Sequence, residues 1–433
     1  MRMRAGLIFM LGLCLLSSAA LSIQRFPPPQ FETDYTIPSP TTPPPRSATF
    51  DIIDTAVLVA ALALASWLVL KKRSRRGVFW LMIFCLLYFG FWRRGCVCPI
   101  GAIGNVSLGL FNPEYAIPWI VVAFFFLPLV FTLFFGRTFC GSVCPLGAVQ
   151  DFVLLRPLAI PRWLETALRL LAWLYLSLAV LYAATASSLV ICRYDPFVAF
   201  FRLGANPLLW VISISMIVIA VFVGRPYCRF LCPLGVIFRQ VGRVSKHRVT
   251  ITPDECIQCR LCENACPFGA IEKPTVEWPT DEHVKGRRRL VLLILLLPVL
   301  AFVGAGVGYW AHPRLAMSHP DVRLAQMLQH KDHYTEQTLP DELEAFNAAG
   351  QTAEDVYQKA EQKLGQFAVG GTIVGLWMGL IAGGSLIGQS IFWKRSGYEA
   401  HRSGCFACGR CYKACPVHRQ WLNNKNQNKQ ESA

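Results

Sequence analysis

Long apolar runs separated by short polar stretches dominate this chain. One run occupies Ala5–Ser22, and seven more fall near residues 52–70, 77–92, 117–135, 168–190, 207–223, 290–310 and 367–393. At about 1.5 Å per residue, roughly 20 residues cross the ~30 Å hydrocarbon layer. The runs therefore predict an all-α polytopic membrane protein with about seven or eight transmembrane helices. The stretch 77–92, with 16 residues, is marginal: it reads as a full span or as a tilted neighbour of a re-entrant loop.

The polar stretches differ in kind. Met1–Arg4 ahead of the first run makes residues 1–23 a signal peptide or an uncleaved signal anchor. Residues 24–50 contain eight prolines and predict an extended linker without a core. Residues 51–237 form the expected membrane bundle. Segments 290–310 and 367–393 are two further spans, and 311–366 is a mainly helical loop domain between them. In the last span Gly371, Gly375, Gly379 and Gly383 recur every four residues, with Gly384 and Gly388 extending the small face. That ladder predicts close packing of this helix against the rest of the bundle.

Charge sets the orientation. Only 16% of residues are charged, against about 25% in soluble domains, and the mean hydropathy is +0.41. If the chain starts inside and crosses at every run, the blocks Lys71–Arg76 and Arg287–Arg289 fall on one side with most of the 42 Lys and Arg. The positive-inside rule makes that side cytoplasmic. The net charge of +16 is then loop bias, and no nucleic-acid partner is expected. Residues 238–289 and 394–433 become cytoplasmic, and 24–50 and 311–366 external, in a bacterial inner membrane.

The chemistry lies in the 17 cysteines, most of them clustered and followed by proline, so they read as ligands rather than a disulfide framework. Cys14 and Cys85, in apolar runs, read as inert small hydrophobes. Cys256, Cys259, Cys262 and Cys266 form C-x2-C-x2-C-x3-C-P, and Cys405, Cys408, Cys411 and Cys415 repeat it. This run holds a [4Fe–4S] cluster, and in paired copies the fourth cysteine serves the other cluster. A single copy also suits zinc; two complete copies, each closed by Cys-Pro, point to two clusters. The predicted sets are Cys256, Cys259, Cys262 with Cys415, and Cys405, Cys408, Cys411 with Cys266. The expectation is a bacterial-type two-[4Fe–4S] ferredoxin module split by two spans and a loop.

Three further stretches align on Cys-Pro. Two share G-R-x-[FY]-C-x3-C-P-L-G, at Cys140/Cys144 and Cys228/Cys232, and a looser one contains Cys96 and Cys98. The first two pairs offer four soft ligands at the cytoplasmic face, for a further iron–sulfur cluster or another metal, or else form structural elbows with idle thiols. Cys96, Cys98 and Cys192 fall on the external side. They read either as a disulfide with one thiol left over or as a cluster site with Asp195 or another group as fourth ligand.

Eight histidines are present, none within a run, so a haem held by two membrane histidines is not expected. His330 and His333, with His312 and His319 in the same loop, read as surface residues rather than a metal site. No nucleophile triad, Walker loop or dinucleotide fingerprint occurs. An electron-transfer subunit is expected rather than a stand-alone enzyme, with no catalytic residue.

The paired C-x3-C-P motifs, the two ferredoxin runs and the membrane helices resemble membrane-bound polyferredoxins of the NosR, NirI and NapH type, over about residues 77–270 and 395–418. The resemblance implies electron transfer between the quinone pool and respiratory reductases, or support for their maturation. NosR-like proteins carry an external flavin-binding domain, for which 24–50 is too short, so a separate flavoprotein subunit is an expected redox partner. A maturation factor or a redox sensor for a respiratory metalloenzyme is the alternative function.

Overall fold

Among the described residues, five helices are long and apolar enough to cross a membrane: Ala48–Leu70, Arg75–Trp92, Trp163–Ala184, Gly286–Ala316 and Ala353–Ser390. Pro99–Phe111, Trp119–Phe135 and Pro207–Phe222 are shorter apolar helices. The computed structural model describes residues 47–431 apart from 96–97, 205, 253–255, 276–279, 331–339, 341, 344–345, 348–351 and 392–393. The signal segment, Cys14, Cys96, His333 and nearly all of the linker therefore lie outside the described residues.

Helix ends depart from the apolar runs wherever polar residues are also good helix formers. The first helix starts at Ala48, so Ala48–Phe50, expected in the linker, belong to it. The last helix starts at Ala353, where the Thr352 side chain accepts from the Asp355 N–H. Its first two turns are rich in Ala, Glu, Gln and Lys, which favour helix, so part of the expected loop domain continues the span. The run at 168–190 ends early. Its helix covers Arg162–Ala184, Ala186 takes a left-handed conformation at φ 55°, and Val190–Tyr194 forms a separate short helix.

The glycine ladder has a specific partner. A Cβ at Gly375 would overlap the Gly304 carbonyl oxygen, and one at Gly371 would lie 2.8 Å from the Gly308 oxygen. The partner is thus the preceding long helix, Thr280–Ala316, rather than the bundle at large; only Gly370 reaches elsewhere, to Leu181. Gly384 and Gly388 face nothing within 4 Å. At the far end of this hairpin Pro320–Gln329 packs on the last helix, burying Val322, Ala325, Val356, Ala360 and Phe367.

The main core does not stop at the bundle. Leu62, Val78, Met82, Phe124 and Phe139 belong to the same buried cluster as Phe268, Phe406 and Tyr412 of the cysteine-rich regions. Those two regions join through a two-stranded antiparallel sheet, with Ile271 opposite Ala400 and Glu272 opposite Glu399. The His401 N–H extends the junction by donating to the Ala270 carbonyl at 2.8 Å, and Arg395 pairs with Glu272.

Candidate metal centres

Each ferredoxin motif wraps around its second cysteine in the same way. Gln258 and Arg260 flank Cys259 at φ 53° and 61°, and Ala407 and Gly409 flank Cys408 at φ 53° and 74°. Left-handed backbone costs a non-glycine residue about 1–2 kcal/mol, and such strain gathers at functional sites. A one-turn helix follows in each case, Leu261–Asn264 and Arg410–Ala414. The turn aims backbone N–H groups inward: the Ala407 N–H lies 3.4 Å from Cys405 Sγ.

The fourth cysteines cross over. Cys256, Cys259, Cys262 and Cys415 line one small cavity, together with Ile251, Thr252 and Tyr398. Cys411 has Cys405, Cys408 and Cys266 as its electrostatic neighbours. Burial pushes the Cys405 thiol up to about 12, with Cys408 and Cys266 adding to the rise and the Ala407 N–H opposing it. Cys262 rises to about 11, again chiefly by burial. A metal must bind thiolates, so loading these nests releases protons. Among the described residues no group of three or more His, Cys, Asp or Glu is arranged to hold a metal ion, and the first set lines only a small cavity.

The two elbows converge as well. Cys144 and Cys232 lie at the N-termini of Pro145–Val153 and Pro233–Arg243, each with proline at the first helical position. There proline's missing N–H costs nothing. Cys232 has Cys228, Cys144 and Cys140 as electrostatic neighbours, and Cys144 has Cys228 and Cys140. The Gly235 N–H donates to Cys232 Sγ at 3.3 Å. Gln150 donates to Cys228 Sγ at 3.3 Å and accepts from the Tyr227 N–H at 3.0 Å. Burial raises Cys228 to about 11 against the pull of Arg225.

Cys98 departs from expectation. The topology set it across the membrane from Cys144, yet the two are electrostatic neighbours. The helix from Arg75 widens into π-type turns over Leu86–Trp92, and Arg94 and Gly95 then take φ of 49° and 61°. Cys98 is the N-cap of Pro99–Phe111. Cys98 lies close to Cys192 and Asp195, and a Cβ at Gly101 would sit 3.3 Å from Cys192 Sγ. No disulfide joins the described cysteines. Of the loop histidines, His319 caps Pro320–Gln329 by accepting from the Asp321 N–H.

The elbows dock directly on the ferredoxin halves. A Cβ at Gly141 would overlap the Phe406 carbonyl oxygen, and one at Gly224 would lie 2.6 Å from the Pro267 oxygen. Only glycine permits that approach. Asp151 anchors the joint: it takes Arg75 at 2.9 Å, Arg410 at 3.0 Å and Arg225 at 3.6 Å. Burial alone would raise its carboxyl; Arg225, Arg410 and Arg75 instead hold it at about 2. The sequence marked the arginines of the two G-R motifs but gave no signal for Asp151, Gln150, Phe268 or Phe406 as their neighbours.

Comparison with known proteins agrees with the cysteine pattern. A family model described as a 4Fe–4S binding domain matches twice, over residues 117–163 and 205–252. Two other models with the same description match residues 249–272 and 402–418. The Escherichia coli (strain K12) protein YccM, provisionally assigned to electron transport, is 30% identical over 124 residues, 26% of this chain and 34% of that protein. Two uncharacterized proteins of Methanocaldococcus jannaschii match at 36% over 42 residues and 27% over 98 residues, covering 17% and 41% of their own lengths. The chain thus spans less than half the length of these relatives. No solved structure matches. The chain carries several 4Fe–4S binding domains and a set of apolar helices long enough for a membrane.

Proposed function

We propose that this protein is an inner-membrane iron–sulfur electron carrier, with its ferredoxin halves on the cytoplasmic face. The observation that carries the reading is the crossed arrangement of the two motifs: Cys415 beside Cys256, Cys259 and Cys262, and Cys266 beside Cys405, Cys408 and Cys411. These eight residues hold two [4Fe–4S] clusters, which supply one-electron transfer without making a bond to a substrate. Cys140, Cys144, Cys228 and Cys232 hold a third group of the same class. The three thiol sets share one buried core with the membrane helices, which supports passage of electrons between the cytoplasmic module and the bundle. Cys98 and Cys192 extend the series toward an external redox partner. The donor is a quinol or a soluble electron carrier, and the relation to YccM supports a role in electron transport.

Anaerobic iron and sulfide determination with EPR tests the reading. Two cubanes give about eight iron atoms per chain, and a loaded elbow set gives about twelve. Cys266→Ala is expected to abolish the signal of the Cys405 set, although it lies in the other motif. Retention of that signal with unchanged iron would overturn the ligand assignment. Reduction by a quinol analogue in proteoliposomes, absent in Cys256→Ala, tests the carrier role.

A further inference from the structure

Arg137 and Arg225 occupy the same position in the two G-R-x-[FY]-C elbows and rank among the largest fully buried side chains, at 2% and 0% exposure. Their placement is crossed. Arg225, from the second elbow, donates to the Cys140 and Gly141 carbonyls of the first, and a Cβ at Gly147 would lie 3.1 Å from its Nη1. Arg137, from the first elbow, packs on the second, where a Cβ at Gly235 would lie 3.7 Å from its Nη2. That nitrogen is also 3.8 Å from Cys140 Sγ, and Nη1 donates to the Ser403 carbonyl at 3.1 Å.

Both guanidiniums face an aromatic plate belonging to the ferredoxin halves. Arg137 lies 4.3 Å from the Phe406 ring centre, and Arg225 lies 5.5 Å from both Phe406 and Phe268. The two rings meet at 5.0 Å. Phe406 follows Cys405 directly, and Phe268 is two residues past Cys266. Arg225 accordingly has thiols of both sets as electrostatic neighbours, Cys228 and Cys144 on one side and Cys408 on the other. The charge around it is unbalanced, since the single carboxylate of Asp151 serves Arg75, Arg225 and Arg410 together. Arg137 Nε is buried without a hydrogen-bond partner. Buried cations in such excess are costly unless anions stand opposite them. A thiolate nest on each side of the pair meets that requirement.

We propose that Arg137 and Arg225 are shared positioning residues for redox groups held by the elbow cysteines and by the Cys405 set, stabilising the negative charge that each group gains on reduction. The inference rests on the iron–sulfur reading above. Reduction adds one electron to the group; no bond is made or broken. A fixed cation in a dry site favours the reduced state more strongly than one in water. Because the pair stands between the nests, it acts on both and makes the reduction of one sensitive to the charge of the other.

The test is a dithionite titration with redox mediators, followed by EPR on the purified intact protein, with iron and sulfide measured in every sample. Arg225→Gln is expected to keep the wild-type iron content and to shift the reduction equilibrium of the Cys405 set at least tenfold toward the oxidised form, 59 mV for one electron. Arg225→Lys keeps the charge but loses the forked donors, and is expected to stay within about threefold of wild type, ~30 mV. Arg137→Gln and Arg137→Lys form a second pair with the same expected split. Equal behaviour of the Gln and Lys variants at full iron load would overturn the proposal, because a purely structural role makes the two alike. Loss of iron in both Gln variants, with unshifted potentials in both Lys variants, would assign the arginines to folding and also overturn it. Wild-type protein without iron would instead defeat the iron–sulfur reading itself.

Discussion

Replacing Gly375 by alanine tests the contact that ties the two longest helices together. A Cβ at this position would lie 2.8 Å from the Gly304 carbonyl carbon and 3.0 Å from Gly308 Cα, and would overlap the Gly304 oxygen. Non-bonded carbons rest about 3.5–4.0 Å apart, so the helices must separate by about 0.7–1.2 Å. Every obstacle is backbone, which no rotamer change relieves. Overpacking of this kind costs about 1–3 kcal/mol. Separation also loosens the neighbouring contacts of Gly371 with Gly308 and of Gly379 with Ala301, so the upper end is expected. About 3 kcal/mol is roughly a 100-fold fall in the folded-to-unfolded ratio. Gly384 is the control: it lies on the same helix with nothing within 4 Å, and alanine there gains up to about 1 kcal/mol from helix propensity. Unfolding of the detergent-solubilised protein by SDS, followed by circular dichroism, reads both. The Gly375→Ala midpoint should fall while that of Gly384→Ala holds or rises. Equal midpoints would refute the reasoning, since the two changes are chemically identical and differ only in what they meet.

Asp151→Asn leaves Arg75, Arg225 and Arg410 without their common carboxylate, and breaking a buried ion pair from one side costs about 3–5 kcal/mol; a loss below about 1 kcal/mol in the same SDS assay would show that the arginines find other anions. His418 is 1% exposed, between Tyr412 and Trp421, and burial followed by Arg73 pushes it down to about 4 from 6.5. The folded protein thus keeps this ring neutral while the unfolded chain takes up a proton below about pH 6.5. Its contribution to stability is full above that value and declines as the pH falls toward about 4. His418→Phe should flatten the melting-temperature profile between about pH 7 and 5, and parallel profiles for the two proteins would exclude the residue as the source.

Spacing that is local in sequence was legible. The C-x2-C-x2-C-x3-C-P runs name their own residues, and in the structure Cys415 lines a cavity with Cys256, Cys259 and Cys262 while Cys266 is an electrostatic neighbour of Cys411. Apolar runs located the long helices but not their ends, because the residues after Thr352 are as helix-forming as those inside the span. The stretch 77–92 was marked by its 16-residue length as a full span or the neighbour of a re-entrant loop, but the π-type turns at Leu86–Trp92 and the positive φ at Arg94 and Gly95 leave no hydropathy signal. The glycine ladder announced a close contact without naming its partner. Arg137 and Arg225 were visible as a repeat, but their crossed seating depends on contacts more than 80 residues apart in the chain, such as Arg225 to Cys140, 85 positions away.

The short strand pairing of Ile271–Glu272 with Glu399–Ala400 also bears on how the protein is made. Cys266 leaves the ribosome well before Cys405, with 138 residues between them. At ~5–20 residues per second that interval is roughly 7–28 s. During it the first four thiols exist without their partner set, and neither complete set can form until the last long helix is in place. With the proposed ligand sets, cluster insertion would be a late event in biogenesis. A chain that stalls or is cut before Glu399 lacks the strand that pairs with Ile271–Glu272.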